Sequence, residues 1–294
     1  MTFSSTLRLF ALVTLLTQQT VHAQVGFSII KTSKVSVVER LLVPDGRYTK
    51  EVDTNFSAFL IRHHNEYLLF DTGLGKNIEA QYGQDMPYWQ RAFFRFERPV
   101  VSARQQLDAA GFAPLQQVIL SHSHWDHAGG VQDFPEAKIL VSQDELGTIA
   151  QPKAGAGGTW ASQVSSASIR WSPITFAAVG YKGYAQSLDL FNDGTVVLVP
   201  MPGHTQGSIG MFVTVDSGKC YFFIGDVAWK SAALRQGAAK FWAASLIVDG
   251  NRGQTMDSVE KVRDVLRQYP EVVVVPAHDG AVQDALGYFP SFVH

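Results

Sequence analysis

The chain has 294 residues, 46% hydrophobic and 17% charged, with a formal net charge of −2 at neutral pH. That is the composition of a globular protein with a sizeable core, and the length fits one or two domains. The near-neutral balance and the lack of any Lys/Arg cluster exclude the electrostatic footprint of a nucleic-acid binder or a polybasic membrane patch, which leaves small molecules as the expected partners.

At the amino terminus, Arg8 precedes the apolar run Leu9 to Leu16, a polar stretch and then Val21-His22-Ala23. A short apolar run ending in a cleavage pattern after Ala23 reads as a signal peptide over residues 1–23. The run falls well short of the roughly 20 residues that span a bilayer, so no stable membrane anchor is expected. Export to a periplasm or beyond is expected, with the mature chain starting near Gln24.

Strand-like runs follow at Val35–Val38, Phe56–Arg62 and Tyr67–Phe70, the last two flanking a hairpin turn, His63-His64-Asn65-Glu66. His63 and His64 read as a polar loop tip, because nothing nearby completes a site. Residues 76–100 carry Tyr82, Tyr88, Trp89, Phe93, Phe94 and Phe96 with no clean period. A short helix around Leu107 and Ala110 stops at Gly111. A second irregular stretch, 152–187, holds Trp160, Trp171 and Phe176. Cys220 is the only cysteine and lies in an apolar run, so a buried, inert thiol and no internal disulfide are expected. Met256, Val259, Val262, Leu266 and Tyr269 fall at helical spacing, with Glu260, Lys261, Asp264 and Arg267 elsewhere, which predicts an amphipathic helix packed on a core. Strands that precede helices, with hairpins among them, predict an α/β chain built on a mixed sheet with helical layers.

Of nine histidines, five follow directly on apolar runs. Val118-Ile119-Leu120 leads into Ser121-His122-Ser123-His124-Trp125-Asp126-His127. In an extended segment, side chains two apart share a face, so His122 and His124 can meet one ion. A turn after them lets Asp126 and His127 address a second. Three further apolar runs end in Gly203-His204, Gly225-Asp226 and Ala277-His278. Each alone is weak, but four strands delivering a ligand at their C-terminal ends converge as sites do in such sheets. Three imidazoles and a carboxylate within six residues are the ligand set zinc favours, and the histidine majority argues against magnesium.

The run His122-x-His124-x-Asp126-His127, followed by His204, Asp226 and His278, resembles the metallo-β-lactamase superfamily. Pro202-Gly203-His204-Thr205 and Phe70-Asp71-Thr72-Gly73 match its recurring motifs, and the resemblance spans about Phe56 to His278. It implies an αββα sandwich of two mixed sheets flanked by helices, forming one hydrolase domain over residues 24–294. It further implies two divalent ions, expected to be zinc. His122, His124 and His204 would hold one, Asp126, His127 and His278 the other, and Asp226 would bridge them. Asp71 is expected to orient a ligand through hydrogen bonds.

The zinc β-lactamases carry Cys, Ser or another residue where this chain has Asp226, and the hydroxyacylglutathione hydrolases continue into a C-terminal helical region where only 16 residues follow His278. Both β-lactam and thioester hydrolysis are therefore disfavoured. What remains resembles the N-acyl-homoserine lactonases and their exported relatives that cleave aryl esters and organophosphate triesters. Opening of a lactone or ester by a bridging hydroxide is expected, with Asp126 and Asp226 in catalytic roles. Triester or aryl ester hydrolysis is the alternative, and an iron-dependent oxidoreductase of the same fold a more distant one. Lactonases of this kind commonly carry tyrosine three residues after the bridging aspartate. This chain has Trp229, whose indole can only donate. Tyr88, Trp89, Phe94 and Trp229 are expected to line an apolar substrate pocket. Relatives of this kind are often dimers, so a homodimer is the expected assembly.

Overall fold

The computed structural model describes residues 24–294, and the expected signal peptide lies outside the described residues. Val25–Val38 (β1) and Glu51–His63 (β2) pair antiparallel, and Glu66–Phe70 (β3) continues the meander through the two-residue turn at His64 and Asn65. Gln117–Ile119 (β4), Lys138–Ser142 (β5) and Arg170–Ile174 (β6) are added in parallel, so the six strands follow chain order across the first sheet. The second sheet holds Leu188–Asp189 (β7), Val196–Pro200 (β8), Ile209–Thr214 (β9), Cys220–Phe223 (β10) and Val273–Val275 (β11), antiparallel except where β11 joins β10.

The helices are Ile78–Asp85 (α1), Ala103–Ala109 (α2), Gln143–Ile149 (α3), Ala161–Val164 (α4), Ser231–Arg235 (α5), Trp242–Val248 (α6), Arg252–Gln268 (α7) and Gly280–Leu286 (α8). None is long and apolar enough to cross a membrane.

Strand periodicity decides the layers, because successive side chains point to opposite faces. Phe27, Ile29, Phe59 and Ile61 face the second sheet and meet Leu198, Met211, Val213 and Phe223 in the central core. Their neighbours Ile30, Ala58 and Leu60 point the other way, under Leu107 of α2, Ile149 of α3 and Val164 of α4. On the outer face of the second sheet, Val197, Val199, Phe212 and Phe222 pack beneath Val259, Val262 and Val265 of α7. Two sheets face to face with helices on both outer sides make the expected αββα sandwich.

The expected strands, the hairpin and the helix before Gly111 are present; that helix, α2, starts at a capping box between Ser102 and Gln105. Two readings need correction. Met256 is 38% exposed, whereas Thr255 and Ser258 are buried on α7. Ser258 Oγ donates to Pro202 O at 2.7 Å, so a polar contact turns the first half of that helix away from its apolar stripe. The stretch 152–187 contains β6, whose Arg170-Trp-Ser-Pro-Ile174 has neither an alternating pattern nor a continuous apolar run because it is an edge strand. Cys220 is a free, buried thiol, as expected.

Five strands finish at one end of the sandwich. β3 and β4 of the first sheet lead into Asp71 and into His122 to His127; β8, β10 and β11 of the second lead into His204, Asp226 and His278. Phe223 sits under that end in contact with the rings of Phe27 and Phe59 at 5.0 and 4.9 Å. Phe223→Ala is expected to cost about 3–5 kcal/mol in urea denaturation, whereas Trp242→Ala, on an exposed face of α6, should stay within about 0.5 kcal/mol.

Candidate metal centre

The loop after β4 is shaped by backbone bonds before its side chains meet anything. His124 O accepts the N–H groups of His127 at 3.0 Å and Ala128 at 2.9 Å, and this turn swings Asp126 and His127 back towards His122. Asp71, at φ +58, faces the same loop from β3. Its Oδ1 accepts from Ser121 N at 2.7 Å and its Oδ2 from Ser121 Oγ at 2.8 Å. Glu145 joins this loop to the one carrying His204: it accepts from the N–H and hydroxyl of Ser123 and from the hydroxyl of Thr205. Lys230 spans β2 and the segment after β11, donating to Asp53 O and His278 O at 2.5 and 2.8 Å, and burial pulls its pKa down to about 8.

All seven side chains singled out in the sequence come together. The ligating atoms of His122, His124 and His204 lie within 4.8 Å of one another, as do those of Asp126, His127 and His278, and those of His122, His127 and Asp226. Asp226 reaches both triads. Its Oδ1 lies 3.2 Å from His127 Nε2 and 3.0 Å from His278 Nε2, and its Oδ2 lies 3.4 Å from His204 Nε2. His124 Nδ1 and His204 Nε2 are 2.8 Å apart, so at least one of them is a neutral acceptor.

The outward ring nitrogens are all occupied where they can be followed. Ser121 Oγ lies 2.9 Å from His122 Nδ1, and Asp71 Oδ2 lies 2.8 Å from His127 Nδ1. Asp249 Oδ1 lies 2.7 Å from His204 Nδ1, and Asn55 O lies 2.7 Å from His278 Nδ1. These bonds turn each Nε2 inward. Yet His122 Nε2, His127 Nε2 and Asp226 Oδ1 are buried without any hydrogen-bond partner. Three orphaned atoms at one point carry a desolvation cost of about 1–3 kcal/mol each, which coordination to a cation removes. The donor set, five imidazoles and two carboxylates, suits a borderline ion such as zinc.

Charge follows the same division. Burial, with neighbouring imidazoles, holds His122 and His124 well below the usual histidine range, and burial and Lys240 lower His204. These three are neutral and ready to ligate. Burial would also depress His127 and His278, but Asp71, Asp226 and Asp126 outweigh it at His127, and Asp226 with Asp126 at His278, so both are raised.

A cavity of about 420 Å3 opens over His124, Asp126 and His278. Phe94 and Trp229 line it, as the sequence led one to expect, but Tyr88 and Trp89 do not. They lie in the turn after α1 and point into solvent, 84% and 56% exposed, because Arg91 reaches back to Met86 O and Gly83 O and closes that turn on itself. The walls that the sequence did not reveal are Val35 and Val37 of β1, Leu41, and Phe241, Ala244 and Ile247 at α6. Trp229 does more than shape the cavity: its Nε1 donates to Asp226 Oδ2 at 2.7 Å. Asp249 and Lys240 also escaped notice. Both are buried, 2.8 Å apart, at the two ends of α6, and Ser245 Oγ adds a short bond to Asp249. An acid and a lysine flanking a short apolar run are the only trace they leave in the sequence.

The family model described as the metallo-beta-lactamase superfamily matches residues 55–278. A protein of Mycobacterium tuberculosis described as a probable metallo-hydrolase is 29% identical over 240 residues, 76% of this chain and 74% of that protein. An N-acyl homoserine lactonase of Agrobacterium fabrum is 27% identical over 177 residues, 59% of this chain and 62% of its own length. Among solved structures, an N-acyl homoserine lactone hydrolase with N-hexanoyl-L-homoserine at its catalytic metal centre superposes with a TM-score of 0.72 at 15% identity, covering 92% of this chain and all of that one. A dizinc quorum-quenching lactonase does so with a TM-score of 0.57 at 18% identity, covering 92% and 90%.

Asp249→Ala leaves the Lys240 ammonium buried without its carboxylate and is expected to cost about 3–5 kcal/mol. The same change frees His204, so metal affinity measured by competition with a chelator should fall about 10–100-fold. The double variant Lys240→Met/Asp249→Ala should recover the stability and not the affinity.

Proposed function

The chain belongs to the metallo-beta-lactamase superfamily, and from that premise we propose that it is a dinuclear zinc hydrolase that opens lactones bearing an apolar acyl chain. The observation that carries the reading is one carboxylate, Asp226, set between two buried triads at the floor of an apolar cavity. The relatives named as lactonases support the substrate class. When bound, the ions supply Lewis-acid polarisation of the substrate oxygen and a water acidified to a pKa of about 7.

The protein's own groups do the rest. His122, His124 and His204 would hold one ion and Asp126, His127 and His278 the other, with Asp226 in reach of both groups. Ser121, Asp71, Asp249 and the carbonyl of Asn55 fix the imidazoles from outside, so the centre is preorganised. Trp229 fixes the orientation of Asp226 between the two groups of ligands. Phe94, Ile247 and Val37 exclude water and receive the acyl chain. Asp126 has the most accessible carboxylate of the centre, with its side chain 11% exposed; its outer oxygen takes the proton released by the attacking water and passes it to the leaving oxygen as the acyl–oxygen bond breaks.

Asp226→Ala is expected to lower bound zinc and to reduce kcat/KM by about 100-fold or more; full zinc with unchanged turnover would overturn the scheme. N-acyl homoserine lactones of increasing chain length should be cleaved faster than aryl acetates, phosphotriesters or β-lactams. Fastest turnover of a phosphotriester in that panel would move the assignment to triester hydrolysis. The reading also includes export: protein recovered from the periplasm of a bacterial host should begin at Gln24 on amino-terminal sequencing, and an intact Met1 in that fraction would sink it.

A further inference from the structure

His63 and His64 close β2 at the end of the sandwich remote from the candidate metal centre. Asn55, whose carbonyl holds His278, lies in the same strand, roughly 25 Å away at the rise of a strand. The turn itself does not supply the third ligand, which arrives from the other sheet. Asp193, in the connection between β7 and β8, places Oδ2 2.7 Å from His63 Nε2 although 130 residues separate the two. The ligating atoms of His63, His64 and Asp193 all lie within 4.8 Å of one another.

The side chains of His63 and Asp193 are held by neighbours that are not themselves ligands, and His64 is held through its backbone. The His63 ring stacks on Phe191 with centroids 3.6 Å apart and planes 2° from parallel. Asp193 Oδ1 accepts from Thr195 N at 3.0 Å and Thr195 Oγ1 at 2.6 Å, which aims Oδ2 at His63. His64 is the first residue of the turn, its N–H bonded to Gln24 O at 2.9 Å and its ring edge-on to His63 at 4.4 Å. His63 is buried, whereas His64 and Asp193 face solvent and leave room for water to complete a coordination shell.

We propose that His63, His64 and Asp193 form a second zinc site, separate from the hydrolytic centre, that ties the end of the first sheet to the second. Two imidazoles and a carboxylate with water in the fourth position are a recognised zinc ligand set. The site exists only when both sheets are docked, so ion binding adds directly to the stability of the folded chain. A bare hydrogen bond between His63 and Asp193 has no need of His64, and that difference makes the proposal testable.

The experiment loads the purified holoprotein with Zn2+ alone at micromolar concentrations and compares it with His64→Asn and Asp193→Asn. Asparagine tolerates the φ of +54° at position 64, and His64→Asn leaves the bond between His63 and Asp193 in place, so folding is preserved. Metal analysis after equilibrium dialysis should find one zinc per chain fewer in each variant than in the parent. Added zinc should raise the Tm of the parent and not that of His64→Asn, with hydrolytic rates unchanged within twofold. Equal zinc content and equal thermal shifts in all three proteins would reduce the cluster to a hydrogen-bonded pair and overturn the proposal. The comparison is between variants of the remote turn, so its outcome is independent of how many ions the other centre holds.

Discussion

Five imidazoles and two carboxylates share one small volume at the end of the sandwich, and their burial is the constraint that the surrounding structure answers. Ionisable groups removed from water must be partnered, or they neutralise or pull the structure apart. Here the partnering is one-sided. The outward nitrogens of His122, His127, His204 and His278 are bound by Ser121, Asp71, Asp249 and the carbonyl of Asn55, while inward atoms of His122, His127 and Asp226 have no hydrogen bond at all. Fixing the outer nitrogen determines which nitrogen faces in. What the inward atoms have instead is one shared carboxylate: Asp226 lies 3.0–3.4 Å from His278, His127 and His204, an arrangement that a divalent cation among them would complete.

The backbone has to bring these segments closer than side chains normally allow. A Cβ on Gly75 would lie 2.2 Å from Gly129 O, and one on Gly207 would lie 2.2 Å from Glu145 N. The first contact lets the Asp71-Thr72-Gly73 segment press on the loop of His122 to His127, where Thr72 Oγ1 donates to His127 O at 2.6 Å and accepts from Gly130 N at 2.8 Å. The second lets the loop of His204 sit on the N-terminus of α3, where Glu145 ties Ser123 to Thr205. Strands of two different sheets are thus locked at their ends by loop-to-loop bonds, independently of the apolar core between them.

The mixed sheet and the seven converging residues were legible in the sequence itself. Apolar runs such as Phe56 to Arg62 and Tyr67 to Phe70 mark strands of a mixed sheet, the family resemblance supplies the αββα arrangement, and coordination chemistry restricts the residue types that can hold a metal. The cavity wall lacked any such record. Tyr88 and Trp89 have the composition of a pocket and point into solvent, while Val35, Val37 and Ile247 have the composition of a core and face the cavity. Which apolar residue meets a cavity depends on how distant elements dock, and the turn closed by Arg91 is decided by backbone carbonyls that the sequence does not display. The same limit hid Asp193 from His63, since the partner comes from the other sheet.

The least expected feature is the bond from Trp229 to Asp226 Oδ2, at the position where the lactonase resemblance leads one to expect tyrosine. A phenol both donates and accepts, and can yield a proton. An indole N–H only donates, so Trp229 can orient Asp226 and roof it with an apolar ring, but it cannot serve a departing oxygen. Lys240, 5.7 Å from that ring, is engaged with Asp249 and is no substitute. Of the two carboxylates of the centre, Asp126 is the more exposed to the cavity, its side chain 11% accessible against 5% for Asp226. Trp229 therefore leaves Asp126 as the carboxylate best placed to meet a substrate from the cavity, and it gives Asp226 a fixed partner under an apolar ring.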